Sequence, residues 1–156
     1  MLLRNRGANV FENVSASSGP GIASLHSSRG LAVGDFDNDG DLDVLIMNMS
    51  EPPTLLRNDT RTGNHWLKLK LIGTKSNRTA IGASVYVTAG GRRFRQDVLS
   101  QSSFYSQNDL RLHFGLGPSK TADVVEVRWP SGLVEMYRNV TANRILTFRE
   151  GESKTL

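Results

Sequence analysis

No cysteine occurs among the 156 residues. Disulfide frameworks, zinc–thiolate sites and cysteine nucleophiles are excluded with it, although the compartment stays open, since many exported bacterial proteins lack disulfides. Histidine is sparse, at His26, His65 and His113. No two histidines have the spacing of a paired metal site, and neither His26 nor His113 sits in a Gly-x-Ser-x-Gly setting that would supply a nucleophile. A Gly-Lys-Ser/Thr phosphate loop is also missing. Paired carboxylates of the glycosidase kind occur only inside one acidic loop, where a metal would occupy them, so no reaction is expected. No apolar run approaches ~20 residues, so no membrane span is expected. The opening Met1-Leu2-Leu3-Arg4-Asn5 lacks the extended apolar region of a signal peptide, and the chain reads as a piece of something longer. Hydrophobic residues make up 38%, which is enough for the core of a β-rich protein, and no long helical pattern appears.

What the chain does have is acid in one place and base in another. The net charge is +4, but residues 1–60 hold four arginines against eight acids, a net of −4, and residues 61–156 hold fifteen Lys/Arg against seven acids, a net of +8. A basic half is compatible with an acidic protein, a nucleic acid or an anionic glycan, or with a plain solvated surface. Its cations alternate with apolar residues along strands and form no dense run, so nucleic acid is not expected. Asn-x-Ser/Thr sequons occur at Asn13, Asn48, Asn58, Asn77 and Asn139. They are glycan acceptors in a eukaryotic secreted chain and carry no meaning in a bacterial one.

The acid is concentrated in Asp35-Phe36-Asp37-Asn38-Asp39-Gly40-Asp41-Leu42-Asp43, with an aspartate at every second position. Carboxylates this dense repel one another unless a cation lies among them. Counted from Asp35, side-chain oxygens fall at positions 1, 3 and 5 from Asp35, Asp37 and Asp39. Gly40 takes position 6, where the chain must turn sharply, Asp41 offers its carbonyl at position 7, and Asp43 closes the shell at position 9. Calcium, with 6–8 oxygen ligands in flexible geometry, suits this loop better than magnesium, which demands a rigid octahedron. The loop is no EF-hand, because position 12 is Ile46 and short apolar runs replace the flanking helices. It is expected to join two buried strands.

Leu2-Leu3-Arg4-Asn5 returns as Leu55-Leu56-Arg57-Asn58, a repeat at the spacing of propeller blades. Ser15 to Ser28 is rich in Ser and Gly and reads as a loop. From about Gly63 strict alternation takes over. Leu67, Leu69 and Leu71 share one face, as do Leu110, Leu112 and Phe114, and then Val125, Val127 and Trp129. Gly115-Leu116-Gly117-Pro118 is read as the end of its strand, Ala89-Gly90-Gly91 as a hairpin turn, and Arg144 to Arg149 as the last strand, with Ile145, Thr147 and Phe148. About seven short strands suggest an antiparallel β-sandwich. Trp66 falls opposite the leucines, as interface packing or a sugar-stacking platform. The polar run Gln101 to Asp109 is long for a turn, the kind of loop that carries binding or caps a sandwich.

Residues Gly30 to Asp43 with the flanking Leu-Leu-Arg-Asn strands resemble an FG-GAP/VCBS repeat, the calcium-loop blade of β-propellers. The second half is similar to the ASPIC/UnbV domain, through Ile81-Gly82-Ala83, Gly90-Gly91-Arg92-Arg93, Tyr105-Ser106-Gln107-Asn108-Asp109, His113-Phe114-Gly115-Leu116-Gly117 and Val125 to Gly132. The expected architecture is all-β, with a partial propeller blade over residues 1–60 joined to a sandwich-like domain over 64–151. A closed propeller needs 4–8 blades, and a lone blade exposes sheet edges. It must lean on the second domain, on a second copy through its open edge, or on further sequence. The resemblance implies Ca2+ at Asp35, Asp37, Asp39, Asp41 and Asp43, an extracellular, cell-surface or periplasmic setting, contact with a protein or the matrix, and no reaction. Rival readings are a carbohydrate-binding module using Trp66, Tyr105, Asn108 and Asp109, and an accessory domain of an exported enzyme.

Overall fold

A computed structural model describes residues 1–102 and 105–152. Within the expected loop 101–109, Ser103 and Phe104 therefore lie outside the described residues. The fold is all-β. A hairpin of β1 (Leu3–Gly7) and β2 (Val10–Asn13) opens the chain. The Ser/Gly stretch after it holds a short 3-10 turn (Ser15–Ser17) and a single helical turn α1 (Pro20–Ala23), where proline occupies the first turn because it needs no N–H partner there. A three-stranded antiparallel sheet follows, in the order β3 (Ser28–Gly34), β4 (Asp43–Asn48), β5 (Thr54–Leu56). The aspartate loop is the β3–β4 connection, so it joins two strands as expected, but these are not buried: Leu31, Leu45 and Met47 stay exposed.

The remaining strands form two sheets packed face to face. One is four-stranded, in the order β11 (Val134–Thr141), β10 (Thr121–Arg128), β7 (Ser84–Ala89), β8 (Arg92–Asp97). The other is three-stranded, in the order β12 (Arg144–Arg149), β6 (His65–Ile72), β9 (Leu112–Gly117). Period-2 alternation explains which residues meet. Leu67, Leu69, Leu112, Phe114 and Phe148 from the smaller sheet form one core with Val85, Val87, Val125 and Val127 from the larger. Leu67, Leu69, Val85, Val87, Val125 and Val127 are each 0% exposed, and a side chain at that depth contributes about 1.5–3 kcal/mol.

Three local features depart from the sequence reading. Strand β9 runs on through Gly117, because Leu116 is buried on the same face as Leu112 and Phe114. In β12 the core face is Leu146 and Phe148, while Ile145 stays exposed. Strand β12 also pairs with β6 in parallel, Leu146 opposite Leu69 and Phe148 opposite Leu71, within an otherwise antiparallel set.

The blade sheet does not present both edges to solvent. Asp109 donates its backbone N–H to the Val33 carbonyl (3.0 Å), Asn108 Oδ1 accepts the Val33 N–H (2.8 Å), and Ser106 Oγ donates to the Leu31 carbonyl (2.6 Å). A segment of the second half thus covers the outer edge of β3. No helix among the described residues is long and apolar enough to cross a membrane.

Candidate metal centre

The aspartate loop rests on the outer face of the smaller sheet of the sandwich, on the side chains that alternate away from its core. Gly40 makes the close approach. Its φ of 99° favours glycine, and a Cβ there would overlap the Trp66 indole. Trp66 stacks on His113, with ring centroids 6.1 Å apart, and His113 Nε2 donates to the Gly40 carbonyl at 2.7 Å. Trp66 is therefore packing between the two halves of the chain.

Asp35 is 0% exposed and Lys68 1%. The Lys68 ammonium lies 2.6 Å from Asp35 Oδ2, which also accepts the Gly40 N–H at 3.2 Å. Lys68 reaches the Asp35 carbonyl at 3.3 Å and Asp109 Oδ2 at 4.0 Å. Arg111 completes the junction: Nε donates to Asp109 Oδ2 (2.7 Å), Nη1 to Asn38 Oδ1 (2.7 Å) and Nη2 to the Asp35 carbonyl (3.3 Å). Burial pushes the Asp109 carboxyl up, but Arg111 and Lys68 outweigh it and hold it below the usual carboxylate range. The Asp109 pairing in turn raises the Arg111 guanidinium.

The five aspartates fall into distinct environments. Asp35, Asp37 and Asp39 each bring a carboxylate oxygen within 4.8 Å of the others. Asp35 Oδ1 is, among the described residues, the buried side-chain polar atom without a hydrogen-bond partner. A buried carboxylate oxygen left so is costly unless a cation meets it. Asp41 has its carboxyl raised by partial burial and by the charges of Asp39, Asp35 and Asp43. Asp43, which the spacing cast as the closing ligand, is 2% exposed. Its two oxygens accept the backbone N–H of Phe36 (3.0 Å) and of Asn58 (2.9 Å), so it ties the loop to the end of the blade. The donor set of hard oxygens in a flexible turn fits calcium in type.

Trp66, Asn108 and Asp109 are engaged at the junction as above, and Tyr105 stands 86% exposed. Sequence reasoning missed Lys68 and Arg111. Lys68 lies in alternation with Leu67 and Leu69 and reads as solvent-facing; its one signal was the need of five carboxylates for a counter-charge. Each histidine has a structural partner, His26 with Glu51 at 2.6 Å, His65 with Asn143 at 2.9 Å and His113 with Gly40.

A family model described as ASPIC and UnbV matches residues 73–155, and one described as an FG-GAP-like repeat matches residues 1–46. The chain is similar to cartilage acidic protein 1 of Xenopus tropicalis, with 34% identity over 122 residues, 74% of this chain and 18% of that protein. Against the Homo sapiens protein of the same name identity is 30% over 152 residues, 93% of this chain and 22% of that one. Against the Mus musculus protein it is 31% over 139 residues, 85% and 20%. The chain spans about a fifth of the length of these curated relatives.

Proposed function

The chain belongs to the ASPIC and UnbV family, and from that premise we propose that it is a calcium-binding, non-catalytic interaction module that works outside the cell, at a surface or in a periplasm. The observation that carries the reading is Asp35 Oδ1, buried and unpartnered, in a carboxylate that stands with those of Asp37 and Asp39. In this reading Asp35, Asp37 and Asp39 hold the cation with carboxylate oxygens and Asp41 adds its backbone carbonyl, while Asp43 holds the loop in shape from outside. The cation neutralises the loop and stiffens the β3–β4 connection. We take residues 1–60 as the repeat and 64–151 as the second unit, since the blade strands end at Leu56 and the sandwich strands begin at His65. The relatives carry cartilage in their name, which supports a setting outside cells. Leu45, Met47 and Leu55 are exposed on one face of the blade sheet, and apolar surface of this kind supports association with further protein, another copy included.

The test is thermal melting in EDTA and in ~2 mM calcium, with magnesium as control. A site of the extracellular kind, with a dissociation constant of about 10⁻⁴–10⁻³ M, stabilises by about 0.6–1.8 kcal/mol at that concentration, a rise of roughly 1–7 °C for a chain of this size. Asp37→Ala and Asp39→Ala should remove the rise and change little in EDTA. Mutants that melt with the parent in calcium would sink the assignment.

A further inference from the structure

The sandwich has a second outer face, on the four-stranded sheet. Its outward positions follow from the register. Arg93, Thr88, Val124 and Arg138 form one row across β8, β7, β10 and β11. Arg95, Tyr86, Glu126 and Met136 form the next, and Asp97, Ser84, Arg128 and Val134 the third. All four cations are arginines. Three gather over one ring: the guanidinium carbons of Arg93, Arg128 and Arg95 lie 4.4, 4.9 and 5.5 Å from the Tyr86 centroid. Two carboxylates share the face. Glu126 accepts from Arg93 (2.9 Å) and Arg128 (2.6 Å), and Asp97 from Arg95 (3.1 Å). They hold the guanidinium groups in place but do not cover them, because the three side chains remain 53%, 54% and 56% exposed. With four arginines against two acids, the face keeps a surplus of positive charge.

We infer that this face binds a sulfated polysaccharide chain. A guanidinium presents five N–H donors in a planar fork and is weakly hydrated, so each arginine keeps donors for a second anion after meeting its carboxylate. The tyrosine ring beneath orients the forks by cation–π attraction, which lowers the ordering cost of binding. Three strand spacings of ~4.8 Å put the backbones of Arg93 and Arg138 roughly 14 Å apart, so the surface is flat and long enough for an extended chain to lie across. Nucleic acid is the weaker fit: single strands need open aromatic faces for base stacking, and here the ring carries guanidinium groups. Arg95 and Asp97 line one cavity with Asp35 and Lys68, but the guanidinium groups of Arg93, Arg95 and Arg128 gather over Tyr86 on the four-stranded sheet, so binding to this face needs no cation in the loop.

The experiment measures binding of the 156-residue chain to fluorescent heparin in EDTA and in calcium, across a salt series. Chemically desulfated heparin and a single-stranded oligonucleotide serve as comparison ligands. The expected result is binding to sulfated heparin alike in both buffers, weakening with salt, and at least 10-fold stronger than to the desulfated chain or the oligonucleotide. Arg93→Ser/Arg95→Ser should lose about 10-fold or more with a shallower salt dependence, and Lys70→Ser/Lys75→Ser should stay within about twofold. Should the first double variant fail to fold by circular dichroism, Arg138→Ser on the far strand is the substitute, with a loss of about threefold. Parent-like affinity in the folded arginine variant, equal binding of the desulfated chain or the oligonucleotide, or no binding by the parent each overturns the proposal.

Discussion

Replacing Lys68 by methionine is the sharpest test of how the two halves meet. The side chain keeps its length and apolar stem and loses only the ammonium, which lies 2.6 Å from Asp35 Oδ2 with both residues at most 1% exposed. Asp35 then keeps the Gly40 N–H as its hydrogen bond and is left charged and buried. Breaking a buried pair from one side costs about 3–5 kcal/mol, because the remaining charge has no compensation. For a chain of this size that is a fall of roughly 6–20 °C in melting temperature, read by circular dichroism in EDTA. Removing both partners, as Lys68→Met/Asp35→Leu, should recover at least half of the loss, since an apolar replacement of an ion pair is often neutral. Calcium should rescue the single variant more than it stabilises the parent, since a competing positive charge has gone. It should do nothing for the double variant, which lacks the first carboxylate. A Lys68→Met protein that melts within about 2 °C of the parent in EDTA would refute the buried pair and with it the described junction.

Three further outcomes follow from other sites. Glu150 is 2% exposed and accepts the N–H groups of Thr74, Lys75 and Ser76, at 2.7–2.8 Å, and the hydroxyls of Ser76 and Ser131. Burial pushes its carboxyl up, yet these donors outweigh it and hold it at about 2, against an ordinary 4.5. Its stabilisation is therefore complete above about pH 4.5 and lost as pH falls towards 2, and Glu150→Gln should flatten the acid limb of a urea-midpoint profile, which an unchanged limb would contradict. Tyr137, stacked on Phe148 with centroids 3.9 Å apart, is pushed up to about 12 from 10 by burial and by Glu135 and Glu152. The unfolded chain ionises first, stability falls between pH 10 and 12, and Tyr137→Phe should reduce that loss while leaving pH 7 melting within about 2 °C. Gly40→Ala places a Cβ against the Trp66 indole at an unfavourable φ. Overpacking of this kind costs about 1–3 kcal/mol and should shift tryptophan fluorescence; parent-like melting with unchanged emission would count against the packing.

The strands and their core faces were legible because alternation is a local signal. Leu67, Leu69, Val125 and Val127 announce a buried face from their own spacing, and each is 0% exposed. The loop was legible because aspartates at every second position with Gly40 between them leave few other physical readings. The parallel pairing of β12 with β6 was not, since nothing in either strand encodes the direction of a partner seventy-seven positions away. Lys68 was hidden for the same reason. In a strand whose odd-numbered residues face the core, an even-numbered lysine belongs to solvent until a segment thirty-three residues earlier covers it. The run from Gln101 to Asp109 showed its polarity but not its task. Its Ser106, Asn108 and Asp109 complete the hydrogen bonding of the β3 edge, and edge protection depends on which edge lies near.

In the proposed reading the aspartate loop has cations of two kinds, one from inside the protein and one from outside. Lys68 answers the charge of Asp35 from inside the protein, where a fixed ammonium and the Arg111 guanidinium hold the loop against the sandwich. Asp43 is met by two backbone N–H groups. These contacts leave Asp37, Asp39 and Asp41 on the outer side, and the Asp41 carboxyl is pushed up by burial first and then by the charges of Asp39, Asp35 and Asp43. In this reading Lys68 and Arg111 are enough to dock the loop but not to neutralise it. In the proposed reading the remaining deficit, together with the unpartnered Asp35 Oδ1, is what an external divalent ion answers. Calcium would then tighten a junction that already exists, and its removal would loosen the outer turn before it separated the two halves. Hydrogen exchange in EDTA should accordingly rise first at Phe36 to Asp41, with the Val33 amide on the covered edge still protected. Simultaneous loss of protection at both places would mean that the metal, and not Lys68, holds the halves together.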